Sequence, residues 1–164
     1  MAITAWSAWW FLPFALPICI WVAWNDMKFM KIPNKAVVSL TVIFLVVGLI
    51  AMPWAEIPWR LLHLVVVLAI GFGLNMIRAI GAGDAKFAAA AAPFIAYGDL
   101  RILFYLFAAV LLAAVTTHKI FKRIPTIRRL TPDWKSWTTR DFPMGLALGG
   151  CLAFYLILGA IYGA

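Results

Sequence analysis

The sequence is poor in the residues that keep a protein in water. Of its 164 residues only 12% are charged, against about a quarter in soluble domains, while 66% are hydrophobic and the mean hydropathy is +0.99. That scarcity excludes a soluble enzyme, a secreted module and a nucleic-acid-binding domain, and leaves an integral membrane protein. Cysteine is nearly absent too: Cys19 and Cys151 sit inside apolar runs, with no C-x-x-C pair and no nearby histidine. A zinc set is thereby excluded, and both read as packing residues rather than a disulfide. His63 and His118 are far apart, and His63 lies among leucines and valines, so core or interfacial roles fit them better than metal ligation. No metal and no cofactor is expected. No Lys or Arg precedes Lys28, so the start lacks the basic region of a cleaved signal peptide and the first apolar run is expected to stay.

What the chain has instead is a succession of apolar runs, at 6–24, 36–52, 61–77, 84–97, 102–117 and 143–161. They predict an all-α, polytopic integral membrane protein, a single domain over 1–164 with about six transmembrane helices. The fourth run is the exception: about 14 residues span only about 21 Å at the helical rise, and Pro93 interrupts them, so a re-entrant or tilted segment is the alternative.

Charge sets the orientation. The formal net charge is +8, and cytoplasmic loops collect Lys and Arg. With six spans and both termini outside the cytoplasm, Lys28, Lys31, Lys35, Arg78, Lys86 and the cluster from Lys119 to Arg140 all fall inside. Only Arg60 and Arg101 are left outside. Five spans would move the large last cluster to the wrong face. Trp6, Trp9, Trp10, Trp54 and Trp59 then lie at outer boundaries and Trp24 at an inner one, as an aromatic belt requires. Segment 118–142 is a long basic cytoplasmic loop. Its Trp134 and Trp137, three apart, suit a short interfacial helix, and a solvated basic loop is the other reading.

Only six acidic residues exist, and their placement is informative. Glu56, Asp99, Asp133 and Asp141 fall in loops, where water is expected to solvate them. Asp26 ends the first span and Asp84 opens the fourth, so this topology puts both carboxylates at one membrane depth, on the cytoplasmic side. Ionisable groups at a membrane boundary are costly and raise a functional hypothesis. The plainer reading is that they reach water or pair with Lys28 and Lys86. The local sequence favours function. Gly81-Ala82-Gly83-Asp84 lets the backbone turn sharply or another chain come close. Asp26 is followed by Lys31-Ile32-Pro33-Asn34, where Pro33 halts one helix and Asn34 is placed to cap the next. Asn75, mid-span, is expected to bond to a neighbouring helix.

Together these elements resemble the type IV prepilin peptidases, membrane aspartic proteases of the G-x-G-D kind. Asp26 with Lys31, Ile32, Pro33 and Asn34 matches the first motif of that family, and Gly81, Gly83, Asp84 and Lys86 match the second, Gly-x-Gly-Asp-x-Lys. Pro143, Met144 and Gly145 match a Pro-aromatic-Gly element only approximately. The resemblance runs from about Asp26 to Gly150. It lacks the paired C-x-x-C domain of the long members, so the short form of Flp tight-adherence systems is expected, without methyltransferase activity.

The resemblance implies an aspartic endopeptidase in the bacterial inner membrane. Asp26 and Asp84 would be the catalytic pair, with Gly81, Gly83, Lys86, Lys31, Pro33 and Asn34 positioning them or the substrate. The partners implied are a prepilin or pseudopilin with a short basic leader and the lipid bilayer; no nucleic acid is implied, and a pilus assembly machinery is compatible. Paired carboxylates share one proton. Helix-dipole reasoning assigns it to Asp26, at the negative end of its helix, and leaves Asp84, at a positive end, as the ionised base. Two other readings compete. A presenilin-like protease would show Tyr-Asp rather than Asn25-Asp26, together with a Pro-Ala-Leu element that this sequence lacks. A small transporter or assembly subunit would carry its aspartates deep within the spans.

Overall fold

A computed structural model describes residues 1–164, helical throughout and without strands. Seven α-helices follow in order: α1 (Ala5–Phe29), α2 (Asn34–Ala51), α3 (Ile57–Met76), α4 (Ala82–Ala91), α5 (Leu100–Arg123), α6 (Pro125–Leu130) and α7 (Met144–Tyr162). Five are long and apolar enough to cross a membrane, once the 3-10 turns leading into α3 and α5 are included. The sixth expected span, at run 84–97, is not a single helix of that length. There α4 has ten residues, about 15 Å of helix, before Pro93, which lacks an amide hydrogen, turns the chain through a short 3-10 segment at Ala92–Phe94. The backbone is extended at Ile95. No single helix in this run has the length of a span.

The bundle is organised around α1 and α7, which lie antiparallel and in close contact. Small residues make this possible. A Cβ at Gly145 would stand 2.8 Å from Asp26 Cβ, one at Gly149 would stand 2.7 Å from the Cys19 carbonyl oxygen, and one at Gly159 would stand 2.9 Å from Ile3 Cγ2. Helices in lipid gain little from apolar burial against one another, so backbone proximity and dispersion hold them together. Cys19 and Cys151 are buried and unpaired, as expected of packing residues. α2 packs on α1 through Phe44 and Phe11, stacked at 5.8 Å, with Phe94 edge-on to both. α3 meets α4 where Gly71 faces Ala85. The outward faces of α3 and α5 are apolar and unpacked, as befits helices solvated by lipid in a multi-pass membrane protein.

Asp99 corrects another expectation. Instead of a solvated loop residue it is 1% exposed. It accepts hydrogen bonds from the Ala2 amide (2.6 Å), the Ile3 amide (2.9 Å) and the Tyr155 hydroxyl (2.8 Å). The amides ahead of α1 have no helical partner, and this carboxylate satisfies two of them. The chain ends meet here too, with Ala164 N–H bonded to the Ile3 carbonyl. Since Asp84 is near enough to Asp26 to feel its charge, the stretch from Asp84 to Asp99 runs from one end of α1 to the other.

Segment 118–142 is neither an open loop nor one amphipathic helix. α5 continues to Arg123, α6 follows, and a 3-10 turn at Lys135–Trp137 brings the chain back onto α1. Trp134 meets Trp24 edge-on at 4.9 Å and stacks on Trp137 at 5.5 Å, while His118 stacks on the other aromatic of that turn, Trp137, at 5.2 Å.

Asp99→Ala should destabilise the fold by about 3–5 kcal/mol, because it strands buried donors, whereas Tyr155→Phe should cost only about 1–2 kcal/mol. Unfolding in detergent measures both, and equal small losses would mean that Asp99 anchors nothing.

Candidate active site

Three elements converge at the end of the bundle opposite the chain termini. α1 supplies Asp26, one turn before the helix closes with Met30 in the left-handed region (φ 55°), its amide bonded to the Asp26 carbonyl at 2.8 Å. The Asp26 side chain is buried and points at the start of α7, where the Gly145 N–H donates to Asp26 Oδ2 at 2.7 Å. Gly145 is required twice, since a side chain there would collide with the carboxylate that its amide holds. Sequence reasoning did not place Gly145 among the site residues. The signal was the partial Pro143-Met144-Gly145 match, which by itself does not say that the glycine's contribution is a backbone amide.

α4 supplies Asp84 in its first turn, with Gly81 as the N-cap. The carboxylate folds back over Gly81, where a Cβ would stand 2.6 Å from Asp84 Oδ2. Gly83 makes room differently: its missing side chain lets Ile32 of the α1–α2 connection approach, within 3.3 Å of an added Cβ. Neither glycine has a positive φ. Of the two roles expected of this pair, close approach is therefore the one realised, and the sharp turn is not. Burial pushes the Asp84 carboxyl up to about 6; the nearby Asp26 charge adds to the rise, and the Gly81 amide opposes it.

The remaining motif residues form a frame around the pair. Lys86 Nζ donates to Asn34 Oδ1 at 3.3 Å, which ties the second motif to the first. Asn34 therefore does not cap α2 as expected: Pro33 occupies the N-cap position and Asn34 is the first helical residue, its side chain engaged by Lys86. Lys31 is exposed, and its carbonyl accepts from Asn25 Nδ2 at 2.6 Å, which fixes the connection after α1. Asn75 binds the Ile80 carbonyl at 2.9 Å, closing its own loop rather than reaching another helix.

A helical, multi-pass membrane protein with two separately anchored aspartates at one end is a distinctive class. Residues 13–117, well over half of the chain and including both aspartates, match the model of the type IV leader peptidase family. The chain belongs to that family. Comparison with curated proteins and with solved structures gives no match.

Carboxyl-stretch infrared titration should detect a protonated acid with a midpoint near 6 that disappears in Asp84→Asn. In Asp26→Asn the like charge is gone but burial remains, so the midpoint should fall without reaching the ordinary value of about 4. A wild-type midpoint near 4 would overturn the coupling.

Proposed function

We propose that this chain is an aspartic endopeptidase that removes the basic leader of a prepilin-type substrate at the cytoplasmic face of a bacterial inner membrane. The observation that carries the reading is the pairing itself: Asp26 and Asp84, from different helices, lie close enough for the charge of one to act on the other. In the proposed step Asp26, as the carboxylate that accepts from the Gly145 amide, takes a proton from water while the water oxygen attacks the scissile carbonyl carbon. Protonated Asp84 gives its proton to the carbonyl oxygen. Collapse of the tetrahedral intermediate breaks the C–N bond, the proton gained by Asp26 passes to the leaving amine, and Asp84 takes back a proton from a hydroxyl of the diol as the new carboxylic acid forms. This reverses the dipole-based assignment: both carboxyls are buried, and the proposal places the proton on Asp84, where the Asp26 charge adds to the effect of burial, while the Gly145 N–H bonds to Asp26 Oδ2.

The proposed orientation has both termini outside, and the stretch from Asp84 to Asp99 provides a sixth crossing made of a short helix, a 3-10 turn and extended chain. What supports this is that Asp84 sits with Asp26 while Asp99 sits with Ala2 and Ile3. It also keeps the basic residues of 118–142 inside. Because α4 is short, an apolar groove of about 490 Å³ opens between α3, α5 and α7, with Phe87, Ala88 and Ala91 of α4 along it. Its continuity with Asp84 through α4 makes it the proposed seat of the substrate's apolar helix.

Asp26→Asn and Asp84→Asn should each lower cleavage of a co-expressed prepilin-type substrate on the order of 10³-fold at equal membrane levels. Near-normal cleavage by either variant would remove that residue from the chemistry. Ala88→Trp, which fills the groove, should raise KM about tenfold or more with kcat little changed; an unchanged KM would place the substrate helix elsewhere.

A further inference from the structure

The folded segment 118–142 builds a cavity that the peptidase reading does not use. It is an open cleft of about 440 Å³ lined by Arg123, Arg128 and Arg129, with Trp137 and Thr138 among its walls. No acid closes it: Asp133 and Asp141 are not in the lining, and the one ion pair in the chain joins Arg60 to Glu56, far along the sequence. The walls are held by the segment's own bonds. Trp137 Nε1 donates to the Thr131 carbonyl at 3.0 Å and to its hydroxyl at 3.1 Å, Thr131 Oγ1 donates to the Ile127 carbonyl at 2.8 Å, and Lys122 Nζ ties down the Thr139 carbonyl at 3.3 Å. Three arginines thus line the cleft without a counter-charge, and none of the bonds that hold its walls uses a guanidinium group.

We infer that this cradle binds the phosphodiester headgroup of an anionic phospholipid. Guanidinium forks match phosphate oxygens in bidentate geometry, and convergent arginines without acids gain most from an anion that cancels their mutual repulsion. The position selects a lipid as the source. Arg123 is the last residue of a membrane-length helix, and exposed apolar side chains flank the cavity's arginines in sequence, Phe121 on one side and Leu130, 77% exposed, on the other. A headgroup in the cradle leaves its acyl chains beside those residues, at the depth where tryptophan rings such as those of Trp134 and Trp137 prefer to sit. The basic leader proposed for the substrate is disfavoured here by like charge, a point that rests on the peptidase reading; the lipid assignment does not.

The test is binding by the purified full chain in neutral detergent, followed by native mass spectrometry and by the unfolding midpoint. The probes are phosphatidylglycerol, phosphatidylcholine and inorganic phosphate. Wild type should retain phosphatidylglycerol about tenfold more strongly than phosphatidylcholine and gain thermal stability from it. R128Q with R129Q should abolish that preference, whereas K135Q with R140Q, which removes the same charge from the same segment outside the cavity lining, should leave it within about twofold. Equal losses in both double variants would reduce the effect to diffuse charge and overturn the site. Equal retention of the two lipids would overturn it as well, and protection by inorganic phosphate matching that by phosphatidylglycerol would overturn the lipid source. Cleavage activity enters none of these readouts, so a failed peptidase reading and a failed lipid site are told apart.

Discussion

Everything at the proposed site depends on how closely α7 approaches α1. With Gly149 against the Cys19 carbonyl and Gly159 against Ile3, the two helices are fixed in axial register over their whole length, and Gly145 falls at the level of Asp26. The Gly145 amide then reaches Oδ2 at 2.7 Å. A larger residue at Gly145 or Gly159 would push against the side chains of Asp26 or of Ile3 and Ala8, and one at Gly149 would meet the α1 backbone and force the helices apart. In lipid, where apolar surface gains little by burial, no hydrophobic force would draw them together again. The same register brings Tyr155 to Asp99 and the last residues of the chain to the first. One helix pair therefore sets both ends of the molecule.

The short α4 follows from that arrangement. An unbroken helix through the Ala-rich stretch would continue the i to i−4 ladder, but Pro93 cannot donate to it, and the chain leaves the helix for a 3-10 turn. A broken segment inside an apolar bundle exposes backbone polar groups that lipid cannot satisfy. The Ala96 amide is covered by the Tyr155 hydroxyl at 3.0 Å, and Tyr155 in turn donates to Asp99. That Tyr155–Asp99 pair helps a short helix to be tolerated, and an apolar groove runs along the Phe87, Ala88 and Ala91 side of that helix. A structural carboxylate at one end of the bundle thus supports the helix that carries the proposed catalytic one at the other.

The sequence made some of this legible and hid the rest for identifiable reasons. Composition and run length announced the all-helical membrane fold, and the family's motifs pointed to Asp26 and Asp84 because both strings are local and rare in combination. The family assignment followed from the same residues. At 84–97 the short run and Pro93 together signalled an interrupted segment, and the break falls at Ala92–Phe94, although neither gives the path of the chain beyond it. Asp99 looked like a solvated loop acid because its partners, Ala2, Ile3 and Tyr155, are distant in sequence. Gly145 was hidden because its contribution is an amide, which every residue but proline carries. The fold of 118–142 rests on pairs such as Trp24 with Trp134, and single-residue spacing contains no information about them.

Which acid holds the proton is a contest between a long-range and a short-range effect. The helix dipole is worth about 0.3–1 kcal/mol at a terminus and favours charge at Asp84 over Asp26. A hydrogen bond to a charged group is worth about 1.5–3 kcal/mol, and the one at 2.7 Å from Gly145 acts on Asp26. Desolvation acts on Asp84 in the opposite sense to its helix terminus, and the raised value of about 6 means that burial and the Asp26 charge outweigh both the terminus and the Gly81 amide. The dipole is thus opposed at Asp84 by burial and the neighbouring charge, with the Gly81 amide on its side, and at Asp26 by the Gly145 hydrogen bond. The same order of strengths explains why Lys86 does not reverse the outcome: its ammonium is engaged with Asn34, so its charge frames the site from the side without bonding to either acid.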